Sequence, residues 1–462
     1  MVPRLPPHNR SLRVRVLHAG SWTMAGHIAS QILRLVSNLL MTRLLVPEMF
    51  GVMALANVIM VGLQMLSDFG LWQGIVQSRR GAEPAYLNTI WTVQILRGIL
   101  LWLFALGIAG TVRLGADWGY VAKESVYADP VLPSVIAVLG ITALLGGLVS
   151  TRLATASRDL ALGRKTLVEL ACQILSLGVM VGWALIDRSI WALVGGAVVG
   201  SALRVLASHI MLPGQRNKLH WDPVAFREIF GFGKWIFLTS ILGFLSANGD
   251  RLLLGGLVDT TTLGIYAIAF FLVYALAEVV QSIAGNVAFP ALSEVARHRP
   301  AEMKKIYYRF RLPVDVVALI AMGGLISAGH LLVGLLYDER YHAAGEMIAI
   351  LAVSLFEVRY TVAGQCFLAL GRPRLLAPAA ALRVVLMFGL MPTIYSLFGV
   401  EGAVWVVTGS ILLTLPIVLY FKVVNGLFDM RRELVVLPLI GVGYCVGGFI
   451  DSLAQTWAAL LH

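Results

Sequence analysis

The chain has 462 residues, of which 58% are hydrophobic and only 13% are charged, and its formal net charge is +11. In a soluble globular domain roughly a quarter of the residues are charged, so this composition excludes that class. Apolar runs of about 20 residues or more can cross a bilayer as helices, and these runs lack strand-like alternation. Because backbone groups in lipid must be paired internally, we predict an all-α polytopic membrane protein. Its positive charge then indicates basic cytoplasmic loops rather than a nucleic-acid partner.

The first predicted element is a basic tail, residues 1–18, which precedes a series of apolar helices. The tail has no short apolar core before a cleavage site, so we expect it to stay in the cytoplasm. The end of the chain, "DSLAQTWAALLH", is expected to be a periplasmic tail or half of a further span. Helices are predicted over residues 19–45, 49–76, 86–110, 131–151, 166–186, 189–211, 233–258, 262–289, 312–336, 345–370, 375–397, 400–421 and 433–451.

The distribution of basic residues between these helices predicts the orientation. With a cytoplasmic N-terminus, the cytoplasmic segments hold about 25 of the 36 Lys and Arg residues, and the opposite loops hold about five. A single miscounted span would destroy this alternation. The bias therefore supports both the helix count and a cytoplasmic N-terminus.

An internal repeat relates the two halves of the chain. Residues 20–56 align without a gap with residues 233–269 at an offset of 213, and Gly51 meets Gly264. The offset equals six helices, an even number, so both copies share one orientation, and parallel repeats of this kind hold substrate between them. We predict a basic tail (1–18), a first six-helix bundle (19–211), a cytoplasmic linker (212–232), a second six-helix bundle (233–421) and one or two C-terminal helices (422–462).

Four segments also stand in a familiar order: "RLLVPEMFGVMALA", "LSDFGLWQGIVQ", "GDRLLLGGLVDTTTLGIYAIAF" and "FPALSEV". Their order and spacing resemble the polysaccharide-transporter (oligosaccharide flippase) branch of the multidrug/oligosaccharidyl-lipid/polysaccharide flippase superfamily. The resemblance implies a transporter, not an enzyme. It implies movement of an undecaprenyl-diphosphate-linked oligosaccharide from the cytoplasmic to the periplasmic leaflet of a bacterial inner membrane by alternating access. The implied partners are that substrate, membrane lipid, a polysaccharide polymerase and glycosyltransferases of exopolysaccharide, capsule or O-antigen synthesis.

Polar residues inside the predicted spans are candidates for the wall of a water-filled cavity, because charge is costly in lipid. Arg34 and Asn38 share a helix face, and Arg251 lies opposite Asn38 in the repeat. Arginine donates to phosphate oxygens in pairs and stays protonated, which suits the implied diphosphate. The substrate candidates are Arg34, Asn38, Gln31, Arg97, Arg251, Arg359 and Arg383, and the candidates for ion coupling or ion pairing are Asp68, Asp250, Glu278 and Glu357.

Each charge also has a structural alternative. Arg251 can pair with a nearby acid or extend to the membrane interface, and Arg204, near a helix end, is a stronger case for the interface. Glu357 and Arg359 are two residues apart, so at most one of them faces a cavity unless the helix is broken there. No Walker motif, metal spacing or nucleophile constellation is found in the sequence, and no cofactor is expected.

Two other functions compete with the flippase. A multidrug or metabolite cation antiporter of the same superfamily would share the two bundles, but its cation pocket should be rich in acids, whereas intramembrane arginine here equals or outnumbers acid. A glycan polymerase or ligase would carry its chemistry on a large outer loop. The longest such loop, about residues 111–130, is too short for a domain.

Overall fold

The computed structural model describes residues 12–67, 71, 75, 78, 80–158 and 162–461, and within that part it shows helices and turns but no strand. The helices are α1 (Leu12–Leu44), α2 (Pro47–Leu66), α3 (Pro84–Asp117), α4 (Leu132–Leu148), α5 (Arg152–Arg158), α6 (Leu162–Ile186), α7 (Trp191–Ile210), α8 (Pro223–Leu257), α9 (Thr260–Ile283), α10 (Phe289–His298), α11 (Met303–Leu336), α12 (Ala344–Ala352), α13 (Leu355–Val358), α14 (Thr361–Ala369), α15 (Ala377–Leu412), α16 (Leu415–Val424), α17 (Met430–Leu434) and α18 (Pro438–Leu461).

Local sequence explains where several helices begin. Pro47 and Pro84 occupy the first turns of α2 and α3, where a missing N–H costs nothing. The Asp222 side chain accepts a hydrogen bond from the Val224 amide at the start of α8, and Asp259 caps α9 in the same way. Helix α8 therefore starts inside the predicted linker, 212–232.

Nine helical stretches of the described chain are long and apolar enough to cross a membrane, and the bent pair α4–α5 is a tenth. The stretch Pro373–Val424 counts once among the nine, yet Gly399 inside it has a φ of +62°. A Cβ on Gly402 would stand 3.1 Å from the Ile394 carbonyl oxygen, so the chain folds back there and forms two spans. Helices α1 and α8, of 33 and 35 residues, are not among these apolar stretches, so the thirteen spans stay a prediction.

The packing order of the first six spans recurs in the next six. Helix α1 packs on α6 as α8 packs on α15, and α2 packs on α4 as α9 packs on α12. Helix α3 packs on α4 as α11 packs on α12, while α18 packs along α11 outside this pattern. This order is what a parallel internal repeat predicts.

The two halves also meet through residues that the repeat makes equivalent. A Cβ on Gly51 would stand 1.9 Å from the Thr260 carbonyl oxygen, and a Cβ on Gly264 would stand 2.0 Å from the Pro47 carbonyl oxygen. Pro47 and Thr260, like Gly51 and Gly264, are 213 positions apart. Such mutual contacts place α2 and α9 across a local two-fold axis, and only glycine permits their close approach.

Polar contacts close the same end of the molecule, which we call the sealed face. The Arg340 guanidinium donates to the carbonyl oxygens of Leu45, at 3.2 Å, and Thr42, at 3.1 Å, at the C-terminal end of α1. The Val126 amide donates to the Val258 carbonyl oxygen, at 3.2 Å, at the C-terminal end of α8. Leu45 and Val258 are again 213 positions apart, so each half caps the first helix of the other.

Two tyrosines add to the sealed face. The Tyr127 hydroxyl donates to the Leu252 carbonyl oxygen at 3.2 Å, and the Tyr337 hydroxyl donates to Asn38 Oδ1 at 2.7 Å. Burial raises the pKa of Tyr127 to about 12 and also raises the pKa of Tyr337. Both phenols therefore remain protonated donors at neutral pH, and Asn38, a predicted substrate residue, contacts the opposite half.

The predicted helix 345–370 is broken into α12, α13 and α14. Its predicted length is correct, but the turns around Ser354 and Tyr360 interrupt it. The break separates Glu357, which lines a cavity, from Arg359, which pairs with a buried acid.

Candidate functional site

An ion pair between the two halves lies on the polar face of α1. Arg34 Nη1 and Gln31 Nε2 both donate to Glu278 Oε2 on α9, at 2.9 and 2.7 Å. The Arg34 and Glu278 side chains are 47% and 49% exposed. Half-exposed charges inside a membrane protein border a wet cavity or a partner rather than lipid, so this pair marks a polar space between the halves.

A cavity of about 470 Å³ adjoins Arg34. Its wall comes from the first half, including Asn38, Asn57 and Gln173, and from α9, including Phe271. Ser30 donates to Gln173 Oε1 at 2.9 Å beside it. The cavity therefore combines one guanidinium with amide and aromatic side chains, a lining suited to an anionic ligand that carries hydroxyl groups.

Arg251 lies on aromatic side chains instead of a carboxylate. Its guanidinium carbon is 3.9 Å from the Phe270 ring centroid, and Phe270 stacks on Tyr274 at 3.9 Å. Its polar contact is Asn248 Oδ1, at 3.4 Å. Within the described residues it forms no ion pair, so its charge is balanced by aromatic and amide contacts alone.

The neighbour Asp250 serves a separate, buried contact. It is 1% exposed and accepts a hydrogen bond from the Tyr266 hydroxyl. Asp250 and Arg251 thus do not neutralise each other. Arg34 lies near Phe271 and Arg251 lies on Phe270, so the two arginines approach α9 from different sides, and their sharing of one chamber stays a prediction.

Arg383 and Glu357 line a smaller cavity, of about 330 Å³, in the second half. Arg383 Nε is buried and has no hydrogen-bond partner in the part of the chain that the structure describes. Gln281 of α9 lines the same cavity, one helical turn from Glu278. The Arg383 cavity and the Arg34 ion pair are therefore separated by a single turn of α9.

Arg97 lines a third cavity, of about 570 Å³, within the first half. Its Nε donates to Ser67 Oγ at 2.9 Å and its Nη2 to the Gln64 carbonyl oxygen at 2.8 Å. Arg204 borders the cavity as well and is 3.3 Å from Glu169. The neighbouring candidate Asp68 lies outside the described residues.

Arg359 does not line any of these cavities. It is 1% exposed, its Nε is 3.0 Å from Asp315 Oδ1, and its Nη2 donates to the Glu433 carbonyl oxygen at 3.1 Å. The same two acids also contact Arg311, and Glu433 contacts Lys422. The predicted substrate role of Arg359 is therefore replaced by a place in a buried ionic cluster.

Three members of this cluster lie at the edges of predicted helices, next to the segments between them. Arg311 lies near the start of α11, Lys422 in α16 and Glu433 in α17, and each is 0–6% exposed. The sequence held one usable signal, the spacing of Arg311 and Asp315 at i and i+4 on one helix face. Their distant partners leave no mark in local sequence.

Comparisons with known proteins agree with this architecture. A family model described as "Polysaccharide biosynthesis protein" matches residues 40–346. The teichuronic acid biosynthesis protein TuaB of Bacillus subtilis (strain 168) is 22% identical over 431 residues, covering 90% of this chain and 82% of that protein. The lipopolysaccharide biosynthesis protein WzxC of Escherichia coli (strain K12) is 21% identical over 354 residues, covering 74% of this chain and 67% of that protein.

The fold is also similar to that of a solved transporter. The lipid II flippase MurJ, in an inward closed conformation, superposes with a TM-score of 0.68 at 12% identity and covers 93% of this chain and 92% of its own. At that identity the likeness concerns the fold alone.

Proposed function

Because this chain belongs to the polysaccharide biosynthesis protein family, we propose that it moves a lipid-linked oligosaccharide across a bacterial inner membrane. In this proposal the substrate is an undecaprenyl-diphosphate-linked repeat unit, carried from the cytoplasmic to the periplasmic leaflet. The names of the relatives support the pathway, and the fold shared with a lipid II flippase supports the reaction class.

The observation that carries the proposal is that two guanidiniums, one from each half, lie against neighbouring aromatic residues of α9. Arg34 is half exposed, and Arg251 has no carboxylate within ion-pair distance among the described residues. A diphosphate and its sugars cannot enter hydrocarbon, whereas a polyprenyl tail can remain in it. Arginine guanidiniums that donate hydrogen bonds to such a headgroup lower the free-energy cost of moving it through the bilayer.

The proposed mechanism is alternating access of two bundles, residues 19–211 and 233–421. The basic loops support a cytoplasmic N-terminus, which makes the sealed face periplasmic. While the sealed face is closed, substrate enters from the cytoplasmic leaflet. The contacts of the sealed face must then separate before substrate is released to the periplasmic leaflet. No chemical bond changes, so the protein acts as a transporter rather than an enzyme.

The test is transport by the purified full chain in proteoliposomes. A fluorescent undecaprenyl-diphosphate oligosaccharide is placed in one leaflet, and a membrane-impermeant quencher reports its arrival in the other. We expect faster exchange than in protein-free vesicles, and Arg251→Ala should slow it about ten-fold or more, because a charged hydrogen bond to phosphate is lost. Arg188→Ala removes an exposed arginine elsewhere and serves as the matched control.

The cation antiporter predicts the opposite pattern. A lipophilic cation would then exchange in these vesicles while the oligosaccharide lipid would not, and Arg251→Ala would leave that exchange intact or increase it.

A further inference from the structure

Glu278 is the one acid of the second half that α1 contacts within the described residues, through Arg34 and Gln31. Arg34 and Gln31 converge on a single oxygen of Glu278. Both partners are half exposed, and an ion pair in such a setting contributes a factor of about five at most to an equilibrium. The contact is therefore specific in geometry but weak enough to exchange.

We propose that Glu278 is an exchangeable counter-ion that occupies on Arg34 the place of a substrate phosphate. The inference rests on the proposed function. A carboxylate and a phosphate each present a pair of acceptor oxygens to a guanidinium. Two anions bound to the same guanidinium repel each other. Diphosphate binding at Arg34 therefore displaces Glu278 and releases α1 from α9.

Arg251 provides an internal comparison. Its guanidinium lies on Phe270 and has no carboxylate partner in the described chain. An anion that reaches Arg251 meets no carboxylate there, whereas an anion that reaches Arg34 competes with Glu278. The two arginines thus have different roles, since Arg251 holds the headgroup and Arg34 couples its presence to the interface of the two halves.

The test is a double-mutant cycle on binding of farnesyl diphosphate to the purified full chain, measured by calorimetry. We expect Glu278→Gln to bind about two- to five-fold more tightly, because the competitor is gone. Arg34→Gln should bind about ten-fold more weakly, because a charged donor is lost. In the Arg34→Gln background, Glu278→Gln should change nothing, because the site of competition is absent.

Two results would overturn the exchange. If Glu278→Gln raises the affinity for farnesyl diphosphate equally in the unchanged chain and in Arg34→Gln, the effect is general electrostatic repulsion. If it raises the affinity in neither, Glu278 does not compete. Glu294→Gln, which removes an exposed carboxylate on α10, is the matched control and should leave the affinity for farnesyl diphosphate unchanged. Glu278→Ala repeats the measurement if the glutamine variant is not monodisperse.

The outcome for the unchanged chain separates this inference from the proposed function. If the unchanged chain binds farnesyl diphosphate no better than farnesol, recognition of a diphosphate headgroup fails and the proposed function fails with it. If it prefers the diphosphate and Arg34→Gln weakens binding, but Glu278→Gln has no effect, only the exchange is refuted.

Discussion

Asp250 and Arg251 are neighbours in the sequence, yet their side chains leave α8 for different environments. Asp250 is buried against the Tyr266 hydroxyl, while Arg251 lies on the Phe270 ring. A buried carboxylate requires hydrogen bonds, so Tyr266 is the residue that allows Asp250 to remain inside the helix bundle. Asp250 is therefore structural, while Arg251 keeps its charge against an aromatic ring, without a carboxylate partner in the described chain.

Removing the Tyr266 hydroxyl should therefore destabilise the fold. Tyr266→Phe leaves the Asp250 carboxylate without its donor, at a cost of about 1–3 kcal/mol. We expect a lower midpoint of thermal unfolding in detergent, and restoration of the midpoint in the Tyr266→Phe, Asp250→Asn double variant. Tyr444→Phe, on an exposed face of α18, is the control, and an equal loss there would refute the assignment.

The buried cluster around Glu433 leads to a second prediction at this scale. Glu433 contacts Arg311, Arg359 and Lys422, so Glu433→Gln leaves three buried cations facing Asp315 alone. Breaking a buried ion pair by removing one partner costs about 3–5 kcal/mol.

We expect Glu433→Gln to be poorly folded, as judged by size-exclusion chromatography and thermal unfolding, and Glu401→Gln, at an exposed acid, to be normal. A Glu433→Gln protein with an unchanged unfolding midpoint would show that the cluster does not hold α17 against α11.

Single charges could be predicted as unusual from sequence, because the cost of charge in lipid depends on local hydropathy. Their partners could not be predicted. Arg34 meets Glu278 from 244 residues away, and Arg359 meets the Glu433 carbonyl from 74 residues away. Whether an arginine faces a cavity or a buried acid is decided by those distant segments, which is why Arg34 and Arg359 look alike in sequence and differ in the structure.

At the scale of elements, helix extents follow from apolar length, and interruptions do not. The predicted boundary between 397 and 400 coincides with Gly399, whose positive φ turns the chain. The break in 345–370 has no glycine or proline at its turns, which lie at Ser354 and Tyr360. At these turns Ser354 Oγ donates to the Leu351 carbonyl oxygen and the Tyr360 hydroxyl donates to Glu433, and periodicity does not report such contacts.

The close approach of α2 and α9 gives the prediction for this scale. Gly51→Ala places a methyl group against the Thr260 carbonyl, and overpacking of this kind costs about 1–3 kcal/mol. The cost falls on the closed arrangement alone, so the sealed face should open more often. A cysteine at Thr261 should then react faster with a membrane-impermeant maleimide.

Gly107→Ala is the control, since a methyl group there meets nothing within 4 Å. Unchanged reactivity at position 261 in a folded Gly51→Ala protein would refute the role of this glycine pair in closing the sealed face.

At the scale of the whole molecule, the sequence predicts a repeat, and the packing order of the helices is consistent with it. Alignment provided the offset of 213 and the match of Gly51 with Gly264. It did not show that these equivalent residues lie against each other. Contact across a local two-fold axis is a property of how the halves dock, and docking depends on surfaces spread along the entire chain.

That axis allows the proposed movement of the halves to be tested directly. Thr261 Oγ1 donates to Glu48 Oε1 at 2.9 Å, and the two residues are equivalent positions of the repeat. With the three native cysteines replaced, the Glu48→Cys, Thr261→Cys pair should join the halves when treated with a short thiol cross-linker. Alternating access then requires transport in proteoliposomes to stop, because the sealed face cannot open. Each single cysteine variant, treated identically, should transport normally, and cleavage of a reducible linker should restore the rate. Cross-linked protein that still transports at the original rate would mean that substrate crosses without separation of α2 from α9.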